Sequence, residues 1–101
     1  MTMSIAELAD CVSDFKIGTS QKFQVDLSDC GWSFADTLSN TLGDEFLIIA
    51  YCDYRLFMAV DDVFIVVHYD RLHAVDVNCV DMCVSWFGKQ DDAMAHYFGI
   101  R

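Results

Sequence analysis

Residues 45–77, EFLIIAYCDYRLFMAVDDVFIVVHYDRLHAVDV, alternate between apolar runs and two-residue polar breaks. The runs 45–52, 55–60, 63–69 and 72–77 are rich in Val, Ile, Phe and Tyr, the residues that suit a pleated, half-buried surface. The breaks Asp53-Tyr54, Asp61-Asp62 and Asp70-Arg71 are of hairpin length and turn chemistry. Strands joined this closely run antiparallel, because a parallel pair needs a crossover of about a dozen residues. Two of the runs, Phe46-Leu47-Ile48-Ile49-Ala50-Tyr51 and Val63-Phe64-Ile65-Val66-Val67, are apolar at both alternations, so both faces of the sheet require cover. Either the N- and C-terminal helices lie on opposite sides, or a second copy packs on the open face. A homodimer through that face is the expectation, since an apolar patch of this size otherwise invites aggregation.

Outward from this stretch toward the N-terminus, Ser33 is placed to cap a short helix reaching Leu42. Its apolar side carries Phe34, Leu38 and Leu42, and Gly43 follows in the usual stop position. Ser28-Asp29-Cys30-Gly31 reads as a turn. Before it, residues 22–27 alternate, with Phe23, Val25 and Leu27 against Gln24 and Asp26, as a half-buried strand does. Ser4-Ile5-Ala6-Glu7 is a capping box, and Ile5, Leu8, Val12 and Phe15 at helical spacing predict an amphipathic helix over 5–15. Toward the C-terminus, Asn78 is placed to cap a helix over 79–87 with Val80, Cys83, Val84 and Phe87 as its stripe and Gly88 as its stop. A last helix over 91–98 ends at Gly99. The fold class is α+β: an antiparallel four- to five-stranded meander with an N-terminal helix, a short helix after the first strand and two C-terminal helices, in one domain spanning 1–101.

Composition limits the function classes. With 54% apolar residues the 101-residue chain has ample core material. No run approaches the length of a membrane span, and Met1-Thr2-Met3-Ser4 lacks the basic start and apolar run of a secretory signal. Five cysteines without a Cys-x-x-Cys pair fit reduced thiols, so the expected location is cytoplasmic. The formal net charge is −10. Residues 26–62 hold eight carboxylates against Arg55 alone, a net −7. Such a field repels nucleic acid and anionic membranes and attracts basic surfaces. All but Glu7 and Glu45 of the acids are Asp, a residue that also serves turns and helix caps.

Chemistry-bearing clusters are sparse. Cys79 and Cys83, with His73 or His96, have zinc-compatible donor types but no second Cys pair, and they read as core residues. His68, Asp70 and His73 gather around one break without a nucleophile beside them, and read as a polar turn. Asp61-Asp62 and Asp91-Asp92 lack the alternating oxygen ligands and closing Glu of a calcium loop. No catalytic residue, metal or cofactor is expected, and the chain is not read as an enzyme.

The acidic residues form the more informative pattern. Glu7, Asp10 and Asp14, at i, i+3 and i+7, make a carboxylate stripe spaced much as phosphates are along a nucleic-acid strand, although a solvated helix face has the same appearance. Asp36, Asp44, Glu45, Asp53, Asp61 and Asp62 fall at helix ends and turns, forming two patches on opposite ends of a meander. Tyr54, Trp32 and Trp86 are candidate aromatic anchors beside them. In size and charge the chain resembles, as a class and not by motif, the small inhibitors carried by phages and mobile elements, including anti-CRISPR and anti-restriction proteins. The resemblance implies a binder that blocks a basic nucleic-acid-binding surface of a host protein. The alternative is a non-mimetic adaptor or immunity-type module whose apolar sheet face is the functional surface.

Overall fold

The computed structural model of the chain describes residues 2–30, 33–70 and 79–100. In chain order its elements are α1 (Ile5–Val12), β1 (Ser20–Asp26), α2 (Phe34–Leu42), β2 (Leu47–Cys52), β3 (Arg55–Val60), β4 (Val63–Tyr69), β5 (Cys79–Phe87) and α3 (Gln90–Gly99). The breaks at Asp53-Tyr54 and Asp61-Asp62 are the β2–β3 and β3–β4 turns, with Cys52 paired to Arg55 and Val60 to Val63. Asp61 takes a φ of 51°, a left-handed conformation that Asp tolerates better than most residues. The strand expected over 72–77 lies outside the described residues.

The five strands form one antiparallel sheet in the order β1-β5-β4-β3-β2. One expectation is overturned: residues 79–87 are a strand and not a helix, which leaves a single C-terminal helix. Both periods fit the apolar residues of this segment, since Val80, Cys83, Val84 and Phe87 fall at helical spacing while Val80, Met82, Val84 and Trp86 alternate. Alternation wins because it buries Val80, Met82, Val84 and Trp86 on one face and leaves Asp81 exposed on the other. It also gives β1 a partner, from Ser20–Ser85 to Asp26–Cys79. Without β5, β1 would have no neighbour in the sheet. α2 runs nine residues, capped by Ser33 and ended by Gly43 at φ 100°, and is not the short element expected.

Helices cover both sheet faces. Val25, Leu56, Met58, Ile65, Val67, Met82, Val84 and Trp86 pack with Leu8 and Val12 of α1 and Phe34 and Leu38 of α2. On the opposite face Phe57 and Val66 pack with Ala93 and Tyr97 of α3. β3 and β4 are therefore buried on both sides, which accounts for their unbroken apolar runs. Among the described residues no helix is long and apolar enough to cross a membrane.

α1 ends at Val12, three residues short of the predicted helix. Val12 would offer its carbonyl to the next turn, but the Trp86 indole N–H donates to that oxygen at 2.9 Å. Ser13 doubles back, its backbone N–H and hydroxyl both donating to the Ala9 carbonyl. Asp14 and Phe15 thus leave the helix, and Phe15 is 39% exposed and lies against Phe46 at 6.2 Å.

Arg55 ties α3 down. Its guanidinium donates to the carbonyls of Tyr97 (3.0 Å) and Ile100 (3.4 Å), to the Tyr54 hydroxyl (3.3 Å) and to Cys52 Sγ (3.3 Å). It lies 5.2 Å from the ring centroids of both Tyr54 and Tyr97. A cation at the C-terminal end of a helix also opposes the negative end of its dipole. Replacing Arg55 by Met is expected to lower unfolding free energy by about 1–3 kcal/mol in urea titrations followed by circular dichroism. Arg55→Lys is expected to recover little of it, because a single ammonium cannot reproduce the planar fork.

Candidate protein-binding surface

The strand register separates the carboxylates into two groups. The Asp61-Asp62 turn marks one end of the sheet, and β2 begins at that end because Leu47 pairs with Ala59. Asp44 and Glu45, just before β2, therefore lie there. β5 finishes at the same end, with Phe87 opposite Phe64, and delivers the chain to the first turn of α3 with Asp91 and Asp92. Segment 14–18 also reaches it, since the Gly18 N–H donates to the Trp86 carbonyl. Asp14, Asp44, Glu45, Asp61, Asp62, Asp91 and Asp92 are all exposed. Among the described residues the cations at this end are Lys16 and Lys89, and Lys16 is paired with Asp14 at 3.7 Å.

The other predicted site residues lie elsewhere. Asp53 and Tyr54 form the turn at the far end, where their carbonyls accept from the Tyr69 hydroxyl (3.2 Å) and the Tyr69 N–H (3.0 Å). Tyr54 is committed to Arg55 and is only partly exposed, so it is no free anchor. Asp36 sits in the first turn of α2, which starts near the far end because the Thr37 hydroxyl donates to the Cys30 carbonyl beyond β1. Glu7 is held in its capping box, accepting from the Ser4 N–H at 3.1 Å. Asp10 is exposed on α1. The three-carboxylate helical stripe does not form, because Asp14 lies past the end of α1. Trp86 is buried, and its size and period-2 position place it in the core; Trp32 and His73 lie outside the described residues.

What the acidic pattern missed is the apolar edge beside it. β2 and β1 are the two edge strands, and they are finished differently. On the α3 side β1 presents Ser20, Lys22 and Gln24, all exposed and polar. Its outer edge is closed by Met3, whose N–H and carbonyl bond the Gln24 carbonyl and Asp26 N–H at 2.9 Å each. β2 presents Leu47 (65% exposed), Ile48 (39%), Ile49 (40%) and Tyr51 (56%). The register puts Leu47 on the α3 face and Ile48 and Tyr51 on the α1–α2 face, so apolar side chains flank the edge on both sides. Among the described residues nothing pairs with the outer edge of β2. A register shift at Ile49 breaks the regularity of that edge, so added backbone pairing would be interrupted and recognition falls mainly to side chains. An apolar centre bordered by Asp44 and Glu45 at one end and Asp53 at the other has the anatomy of an interface core with a charged rim.

A second, more polar feature crosses the α3 face. Cys52, Arg55, His68, Cys83 and Lys22 occupy one cross-strand row. His96 of α3 comes to 5.9 Å from the His68 ring and 5.3 Å from Phe87. Beside them is a cleft of 510 Å³ lined by His68, Tyr69, Asp70, Ala95, His96, Gly99 and Ile100. Burial, then His96, Arg55 and Lys22, hold the His68 imidazole below its ordinary value, and Asp70 pulls the other way. No three His, Cys, Asp or Glu side chains converge as a metal site among the described residues. Burial pushes the Cys30 thiol up, as in an inert core cysteine.

Comparison of the chain with protein-family models, curated proteins and solved structures finds no match. The assignment of a surface therefore rests on geometry and charge.

If β2 is displayed and not packed, its side chains are dispensable to the fold. Leu47→Thr and Ile49→Thr are expected to change unfolding free energy by no more than about 0.5 kcal/mol. Phe57→Ala, on the adjacent strand, is expected to remove about 3–5 kcal/mol in the same urea titration.

Proposed function

We propose that this chain is a protein-binding domain of inhibitor type, which docks the β2 edge and the neighbouring acidic end of the sheet onto a basic, nucleic-acid-binding surface of another protein. The observation that carries the proposal is the coincidence of two features: seven exposed carboxylates at one sheet end and an edge strand displaying Leu47, Ile48, Ile49 and Tyr51. The carboxylates supply steering and selectivity for a basic partner, and the apolar side chains supply burial. A binding role, not catalysis, is what this combination serves.

A second copy of the chain is the competing occupant, favoured by the same apolar edge. Charge weighs against it. Antiparallel pairing of two β2 strands sets Asp44 and Glu45 of one copy beside Asp53 of the other, at both ends of the contact. A basic partner meets no such repulsion.

The test uses purified basic nucleic-acid-binding proteins as probes, with affinity measured by fluorescence anisotropy across a salt series. Binding is expected to weaken as salt rises and to compete with the probe's nucleic acid. Asp44→Asn, Asp61→Asn and Asp62→Asn together are expected to slow association about tenfold or more. Asn is chosen because it tolerates the left-handed backbone at position 61. Binding indifferent to both salt and the triple substitution would falsify the proposal. A mass of two chains in sedimentation equilibrium, lost on Leu47→Thr, would assign the edge to a second copy instead.

A further inference from the structure

α3 is held to the sheet by a thin contact. Its buried residues are Ala93 and Tyr97, and its last carbonyls rest on Arg55. Within this contact lie two imidazoles, His68 from β4 and His96 from α3, with ring centroids 5.9 Å apart and planes at 58°. His96 Nε2 is buried without a hydrogen-bond partner. The groups around the pair come from every packed element. β3 contributes Arg55, opposite His68 in register; β5 contributes Cys83, also opposite, and Phe87 against His96. β1 contributes Lys22, opposite Cys83 in the same row. Asp70, just past β4, is the carboxylate lining the adjoining cleft among the described residues. Arg55 and Lys22 thus share the row with His68, and among the described residues Asp70 is the carboxylate that acts on its ring. Protonation would place further positive charge in a site that already holds Arg55 and Lys22, and would bury part of it.

We propose that His68, packed against the buried His96 ring, is a pH-sensitive latch: while the His68 ring is neutral α3 lies on the sheet, and its protonation releases α3 and uncovers Phe57 and Val66 beside β2. This inference stands apart from the identity of any partner. Its consequence for binding is an apolar surface extended from Leu47 and Ala50 across β3 and β4.

The sign follows from the surroundings of His68. Docked, burial first and then His96, Arg55 and Lys22 hold its imidazole below the ordinary value of 6.5, and Asp70 opposes them without reversing the direction. Released, the ring is hydrated and titrates near that ordinary value. Well above 6.5 both states are neutral and docking does not depend on pH. As pH falls below it the released state binds the proton first, so docking weakens, by at most about tenfold per pH unit for each proton taken up.

Hydrogen exchange of the full chain, followed by NMR between about pH 7.5 and about pH 5.5, tests the latch. Corrected for intrinsic rates, protection of the amides of residues 93–97 is expected to fall by up to about tenfold per pH unit below the ordinary imidazole value. Amides in the middle of β4 and β5 are expected to hold. His68→Gln is expected to keep α3 protected at both pH values. Unchanged protection of α3 in the wild type overturns the proposal, as does a parallel loss over β4 and β5, which would report unfolding of the whole domain. Should His68→Gln not fold, NMR titration of the His68 ring in the wild type decides. A midpoint below 6.5 supports the latch, and one at or above 6.5 overturns it.

Discussion

Two central strands with apolar residues at both alternations set the terms for everything else in this structure. Leu56 and Met58 of β3 point one way and Phe57 the other; Ile65 and Val67 of β4 oppose Val66 in the same manner. Neither face can be left to water, yet the described chain has three helices to cover them. α1 and α2 take one face and α3 takes the other, centred on β3, β4 and β5. Cover runs out at the edges. At β1 the sequence answers with polar side chains and with Met3 laid along the strand. At β2 it does neither, and an apolar edge remains in solvent. The contrast between two edges of one sheet is what distinguishes β2 from an incidental scatter of exposed hydrophobics.

The acidic end is a consequence of topology acting on turn chemistry. Each of its carboxylates has an ordinary local reason to be present: Asp61 and Asp62 make a hairpin turn, Asp91 and Asp92 oppose the dipole at the start of α3, and Asp44 and Glu45 occupy the α2–β2 connection. What is not ordinary is that the exit of α1, the exit of α2, the β3–β4 turn and the entry to α3 are all brought to one end, with Lys16 and Lys89 as the described counter-charges. Local needs and a collective field therefore coexist in the same residues. The far end is built differently, with Asp53 and Tyr54 bonded into the Tyr69–Arg55 network.

Much of this was legible in the residues. The capping box of α1, the Ser33 cap and Gly43 stop of α2, the runs that became β2, β3 and β4, and their two-residue turns follow from local chemistry that the tertiary structure leaves intact. The errors occur where local signals were balanced and a distant partner decided. Residues 79–87 satisfy helical and strand periods together, and pairing with β1, some 60 residues earlier, tips them to strand. The last turn predicted for α1 is lost to the Trp86 indole, which no local pattern announces. Likewise Tyr54 looked like a free aromatic because its stacking on Arg55 depends on α3 arriving from the C-terminus. The acidic site was visible only in part. Asp44, Glu45, Asp61 and Asp62 stand out from their turns alone, but Asp91 and Asp92 join them only once β5 is a strand that ends beside β4. β2 looked like any buried strand, and its exposure follows from how far the helices reach.

The most direct test of the binding account is to map where a basic partner touches the chain, by NMR chemical-shift perturbation with the tightest-binding basic nucleic-acid-binding protein. Perturbations are expected to concentrate on residues 44–51, Asp61, Asp62 and the first turn of α3. A footprint on the Lys22 and Gln24 edge of β1, or on Glu7 and Asp10 of α1, with residues 44–51 unmoved, would contradict it.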